Sequence, residues 1–380
     1  MAQGASMSDA TGSTATVTTD LNVTEEGPGT NRRALAKRII LRICISAVVS
    51  LAITLAVAAV LTMVQGDAPK DGGDGDGTGG IDFTNVSTLS SALAFANERT
   101  HDSGMFFRQY PSAAPTHVHV VFVHGSGAES RYLSSVAHNT SLSGHAHVYT
   151  PNLRGHGPDA TLLGTRGQLQ YEDQLEDDLR ALVRSIRDGD YGGDAESNKV
   201  VLAGHSSGGG MVLRMARADP AVEADGYFLV APFLKYDAPT TRPASGSWTN
   251  VWLTRIVGLS ILNTFGLHYL NYLVSITFNL PERQRDGNET LEYSYDMMNG
   301  FAPHSDYMGD LAGAAAKALH IVAGADDESM VADEYQRVLD QIAVGGDWRK
   351  TAEVLPGVGH IDIMHDPRLF AALRQFVATL

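Results

Sequence analysis

Short apolar runs of strand length alternate along most of this chain with longer stretches of helical period. Met105 to Gln109 reads as an antiparallel opening strand, and His117 to Val123 as a strongly β-prone run. A helix follows around Tyr132 to Leu142, then a strand at His147 to Thr150 and a helix over roughly Leu169 to Ile186. Val200 to Ala203 leads into a glycine-rich turn, and Met211 to Ala216 leads out of it with helical character. Gly226 to Ala231, Leu319 to Ala323 and Thr351 to Leu355 complete the set of strands. Strands buried on both faces read as continuous apolar runs, so the alternation predicts an α/β domain with a mostly parallel central sheet and helices on both faces. Over about 233–318 the alternation breaks. That stretch is rich in aromatic and aliphatic residues (Trp248, Trp252, Phe265, Tyr269, Tyr272, Phe278) and reads as an insertion, most of whose apolar groups pack it onto the core.

A second pattern lies near the amino terminus. Ile43 to Val64 is uncharged and apolar, long enough as a helix to cross the hydrocarbon core of a bilayer. Its flanks are polar: residues 1–42 form a Ser/Thr/Gly-rich tail, expected to be disordered and ending in Arg32, Arg33, Lys37, Arg38 and Arg42, and 65–80 is an Asp/Gly linker. Neither flank could bury the segment in a core. The apolar region is too long, and stands too far behind a hydrophilic leader, to resemble a cleavable signal peptide. The expectation is a single uncleaved transmembrane helix at 43–64 followed by one domain over 81–380. The basic tail places the amino terminus in the cytoplasm and the domain on the extracytoplasmic side.

Composition narrows the partners. The chain has 380 residues, 43% hydrophobic, with a formal net charge of −15. That acidity, without a Lys/Arg stripe in the domain, argues against nucleic acid. Cys44 is the sole cysteine, so no intrachain disulfide can form. Asp74-Gly75-Asp76-Gly77 resembles the start of a calcium loop, but the twelfth position is Asn85 where a carboxylate is required, so it is read as spacer.

The chemistry centres on Gly204-His205-Ser206-Ser207-Gly208, between the apolar run and the helix. A serine hydroxyl becomes a nucleophile when a tight turn exposes it beside a base and oxyanion donors, and strand, Gly-x-Ser-x-Gly, helix makes such a turn. Downstream, Gly324-Ala325-Asp326-Asp327 follows one strand and Gly357-Val358-Gly359-His360 follows the last, so a carboxylate and an imidazole sit on loops at the carboxyl edge of the sheet. His124-Gly125-Ser126-Gly127 follows the first parallel strand, and the backbone N–H groups of Ser126 and Ser207 are the candidate oxyanion donors. Other polar residues receive structural readings. His205 is packed structure, His124 holds its loop, Arg154 braces a turn, and His117 and His119 have no spacing that makes a metal site. The acidic cluster Glu172, Asp173, Glu176, Asp177, Asp178, with Arg180, Arg184 and Arg187, reads as a solvated, ion-paired helix face.

These motifs, with Asn152-Leu153-Arg154-Gly155-His156-Gly157, resemble the α/β-hydrolase superfamily from near Met105 to Leu380, and within it the monoacylglycerol lipase and lysophospholipase branch, also called serine-aminopeptidase-like. The resemblance implies an α/β-hydrolase fold with a helical cap insertion, Ser206 as nucleophile, His360 as base, and Asp327 in preference to Asp326 as acid. It departs where Pro158-Asp159 follows the Arg-Gly-His-Gly run. It further implies cleavage of a carboxylic ester, of monoacylglycerol or lysophospholipid type, with no metal or organic cofactor. The alternatives are an amidase or aminopeptidase acting on small substrates, and a catalytically silent surface binding module.

Overall fold

The computed structural model describes residues 28–63 and 90–380, except 159, 161–163, 219, 221, 244–247, 281, 283–284 and 343–349. The predicted tail up to residue 27, the linker and Asp159 lie outside the described residues. Contacts divide the chain into two units, Met1–Ala56 and Val57–Leu380. The described part of the first is helical, within α1, Pro28–Met63. Within α1, Leu35–Met63 has a mean hydropathy of 2.6, and most of its large apolar side chains, from Leu35 to Met63, are exposed. Among the described residues it is the one helix long and apolar enough to be a candidate transmembrane span. The helix starts upstream of residue 43, so the basic stretch ahead of the apolar run is helical where a disordered tail was expected.

In the second unit β1 (Asn97–Thr100), β2 (Phe106–Tyr110) and β3 (Val118–Val123) come first. They are followed by α2 (Ser134–Leu142), β4 (His147–Pro151), α3 (Gln174–Arg187), β5 (Lys199–His205), α4 (Ser207–Met215) and β6 (Gly226–Val230). The insertion carries β7 (Thr249–Val251), α5 (Leu253–Thr264), β8 (Val274–Phe278), β9 (Glu292–Ser294) and α6 (Tyr295–Gly300). Then come α7 (Tyr307–Ala315), β10 (Ala318–Gly324), α8 (Glu334–Asp340), β11 (Lys350–Leu355) and α9 (Pro367–Val377).

The main sheet has eight strands in the order β1-β2-β4-β3-β5-β6-β10-β11. β1 and β2 are antiparallel and the pairs from β4 to β11 are parallel. Period-two alternation on β3 divides the core. Val121 and Val123 face the cluster built with α3, α4, α7 and α8, while Val120 and Phe122 face the one built with α2 and α9. Helices therefore cover both faces, and β4 and β5 leave β3 in opposite directions. Such a reversal opens a crevice at the carboxyl ends of the strands.

Three expectations change in detail. The cap carries a three-stranded antiparallel sheet, β7-β8-β9, besides its helices. Its carboxyl-terminal limit is earlier than 318, because α7 packs against α4 as the core's own crossover helix. The α3 helix begins at Gln174 instead of near Leu169, after a turn in which Gly167 has φ 70° and lies close against the Glu292 carbonyl. The acidic cluster is also only partly solvated. Glu176 and Asp178 are buried, and each meets a guanidinium: Glu176 bonds Arg214 of α4, and Asp178 takes Arg154 through Nε and Nη2 at 2.8 Å each. Arg214 itself is 3% exposed and also reaches Glu172 and Asp173. Charges sealed in this way must be paired, which is why these acids align with arginines on neighbouring elements.

Removing the cation leaves Glu176 buried and uncompensated. Arg214→Met is therefore expected to lower stability by about 3–5 kcal/mol in urea unfolding, and adding Glu176→Gln to recover part of that loss.

Candidate active site

Strand β5 ends in the sharp turn that presents Ser206. Its backbone lies at φ 55° and ψ −124°, a conformation costly for a residue with a Cβ. Two glycines make the turn sterically feasible. A Cβ on Gly204 would collide with the Gly208 carbonyl, and one on Gly208 with the carbonyls of Val123 and His124. Hydrogen bonds lock the turn: Ser206 N–H donates to Val230 C=O at 2.9 Å, and its own C=O accepts from Phe233 N–H at 2.9 Å and Gly210 N–H at 3.1 Å.

Two loops that are remote in sequence complete the arrangement. His360 Nε2 lies 3.0 Å from Ser206 Oγ, and His360 Nδ1 lies 2.7 Å from Asp327 Oδ2. Asp327 Oδ1 accepts the N–H groups of Ser329 and Met330 at 2.8 and 2.7 Å, so every lone-pair direction in use has a donor. Asp326 is exposed, whereas Asp327 is buried. Glu328 Oε2 accepts the His360 N–H at 2.8 Å and holds that loop. Burial alone would lower the His360 pKa, but the adjacent Asp327 carboxylate outweighs it and the net shift is upward. Burial would likewise raise Asp327, and the imidazole and the two N–H donors bring it below the ordinary carboxylate value. Each group thus favours the charged form of the other.

The loop after β3 lies directly against Ser206, since a Cβ on Gly125 would stand 3.3 Å from its Cβ. Gly125 N–H donates to Tyr132 Oη at 2.6 Å, and that hydroxyl meets His205 Nδ1 at 2.9 Å. His205 Nε2 faces the His360 carbonyl at 3.0 Å and must carry the proton there. Burial, then the neighbouring His360, push the His205 pKa down to about 3, so it stays neutral and serves as packed scaffold, the reading made from sequence. Among the described residues the N–H groups of Ser126 and Ser207 donate to no protein acceptor. His124 bonds the Gly125 carbonyl and accepts the Leu153 N–H, again as scaffold. Buried His119 pairs with Tyr149 and stacks on His147, and no group of metal-capable side chains gathers among the described residues.

Sequence reasoning missed Tyr132, Tyr293 and Trp248. Tyr293 Oη accepts the Gly127 N–H at 2.9 Å, and Trp248 Nε1–H donates to Ser126 Oγ at 3.2 Å. Both come from the cap, more than a hundred residues away, and no local motif marks them.

Chemically, a neutral imidazole held on a buried carboxylate can accept a proton from Ser206, and protonation of His360 abolishes this. Acylation of Ser206 by an activated ester should therefore fall as pH drops through a pKa above 6.5. In Asp327→Asn the carboxylate that raises the pKa is gone, so that limb moves to lower pH while the plateau rate drops by about 10⁴-fold. A pH–rate profile of both proteins checks this, and a limb that does not move would contradict the assigned pairing.

Comparison with known proteins agrees with this architecture. The alpha/beta hydrolase family profile matches residues 120–373. A soluble variant of monoglyceride lipase from Saccharomyces cerevisiae, solved with a substrate analog, superposes with a TM-score of 0.55 at 18% identity, covering 74% of this chain and 94% of that one. A highly thermostable carboxyl esterase from Bacillus coagulans gives a TM-score of 0.52 at 16% identity, covering 75% and 96%. No curated protein sequence matches the chain. The profile spans most of the sheet, the loops that carry Ser206, Asp327 and His360, and the cap: this chain belongs to the alpha/beta hydrolase family.

Proposed function

We propose that the protein is a membrane-anchored serine hydrolase that cleaves carboxylic esters through an acyl-enzyme. The observation that carries the reading is the continuous hydrogen-bonded line from Asp327 through His360 to Ser206, at 2.7 and 3.0 Å. Ser206 Oγ attacks the ester carbonyl while His360 Nε2 takes its proton, and Asp327 holds the imidazole in the tautomer with Nδ1–H. The N–H groups of Ser126 and Ser207, which donate to no protein acceptor among the described residues, stabilise the oxyanion. His360 then protonates the leaving alcohol. A water molecule, deprotonated by His360, repeats the sequence and releases the acid. No metal or organic cofactor enters any step.

A lipid-like ester, of monoacylglycerol or lysophospholipid type, fits best. Trp248 and Phe278 of the cap stack 5.5 Å apart beside Gly127, giving the oxyanion side an apolar wall. Leu253, Phe265, Tyr269 and Tyr272 leave the outer cap apolar and exposed. Such a surface suits an amphiphilic substrate better than a charged peptide amine. The apolar run over 43–64, the larger part of the candidate span in α1, would be the anchor, with the basic residues ahead of it cytoplasmic and the hydrolase domain extracytoplasmic.

With full-length protein in detergent, a fluorophosphonate probe is expected to label wild type at Ser206 and to leave Ser206→Ala unlabelled, as read by intact and peptide mass. Folded wild type that takes no label would reject the acyl-enzyme reading. Protease added outside intact cells is expected to remove the carboxyl-terminal domain, and full protection of that domain alongside digested external controls would reverse the topology.

A further inference from the structure

The loop bearing Ser126 is gripped from outside by one segment of the cap. Gly127, at φ 74°, is engaged through both peptide groups: its N–H donates to Tyr293 Oη at 2.9 Å, and its C=O accepts the Thr290 N–H at 3.0 Å. Tyr293 is 2% exposed, and its hydroxyl meets His156 Nε2 at 2.6 Å. His156 Nδ1 in turn faces the Arg154 carbonyl at 3.0 Å.

The direction of every bond follows from donor chemistry. A peptide N–H can only donate, so the phenol oxygen accepts it and sends its own proton to the imidazole. A ring nitrogen facing a carbonyl must carry hydrogen, which leaves Nε2 of His156 as the acceptor. Burial and the nearby His124 hold the His156 pKa well below its ordinary value, so this neutral state is kept. The same order of groups runs on the other side of Ser126, from Gly125 N–H through Tyr132 and His205 to the His360 carbonyl. Both amides that flank Ser126 are thereby occupied, and the Ser126 N–H between them donates to no protein acceptor among the described residues.

Packing does not explain the hydroxyl. The Tyr293 ring already sits edge-on to Phe278 at 4.6 Å and to His156 at 5.3 Å, and burying a phenol oxygen there costs stability unless it is bonded. We propose that Tyr293, on cap strand β9, is a positioning residue for the oxyanion loop: by accepting the Gly127 N–H it fixes the loop so that the Ser126 N–H faces the reacting carbonyl oxygen. The cap is then part of the catalytic apparatus, and its removal would disorder the oxyanion site. This inference rests on the acyl-enzyme reading above.

The test compares full-length wild type and Tyr293→Phe in detergent on a matched pair of esters, one with a carbonyl oxygen and one with a thiocarbonyl sulfur. Sulfur accepts N–H hydrogen bonds weakly, so the ratio of the two rates reports contact with the oxyanion. For the oxygen ester, kcat is expected to fall by at least about tenfold, with KM held within about twofold. The oxygen-to-sulfur rate ratio should fall with kcat. An equal loss on both esters, or a change confined to KM or Tm, would make Tyr293 merely structural and overturn the proposal. Should Tyr293→Phe not fold, Tyr293→Met, which also removes the phenol oxygen while filling the apolar space, takes its place, and an unchanged ratio there overturns the proposal equally. The two readings fail separately. Unlabelled wild-type Ser206 rejects the acyl-enzyme, whereas labelled wild type with an unchanged ratio rejects only the role of Tyr293.

Discussion

Ser206 sits at φ 55° and ψ −124°, where a side-chain-bearing residue is strained by about 1–3 kcal/mol, and the site is arranged around keeping it there. The turn lifts Oγ off the end of β5 toward His360 as the chain passes into α4. Surrounding structure over-determines the conformation. Val230 takes the Ser206 N–H, Phe233 and Gly210 donate to its carbonyl, and the missing side chains of Gly204 and Gly208 let β3 and α4 close on the turn. Because β6 supplies Val230, the register between β5 and β6 is tied directly to the geometry of Ser206.

Around that point the protein uses buried imidazoles in two ways. His360 is paired with a carboxylate that favours its charged form, the arrangement that the proposed role as base requires. His205 and His156 are sealed without a carboxylate partner, and burial keeps both neutral. In that state each ring has one donor and one acceptor nitrogen, which lets it join a tyrosine hydroxyl to a backbone carbonyl without placing a charge in the interior. Neutral scaffold imidazoles thus stand beside the His360–Asp327 pair, whose mutual attraction the low dielectric strengthens.

How much of this was legible in sequence depended on range. The β3, β5, β6 and β10 strands read correctly as continuous apolar runs because both of their faces are covered, and the loops carrying Ser206, Asp327 and His360 followed from the rule that function gathers at carboxyl ends. Gly204 and Gly208 were interpretable because their steric role is local. The cap sheet was not legible: β7 and β9 are three residues each and draw their stability from β8, a partner that no local pattern names. Glu176 and Asp178 misled for a related reason. On α3 they look like any solvated acid, and only the arginines brought up by α4 and by the loop after β4 show that they are buried. Tyr293 is the extreme case, since its partner Gly127 lies 166 positions away.

Cleavage of an ester through a covalent bond to Ser206 is the step on which the proposed function rests. It is tested most directly by acid-quenching the full-length enzyme during turnover of a slow activated ester and weighing the protein. A transient mass gain equal to one acyl group is expected, located on the peptide that contains Ser206 and absent from Asp327→Asn quenched at the same early time. Turnover with no acyl adduct at any time, under conditions in which product accumulates, would contradict it.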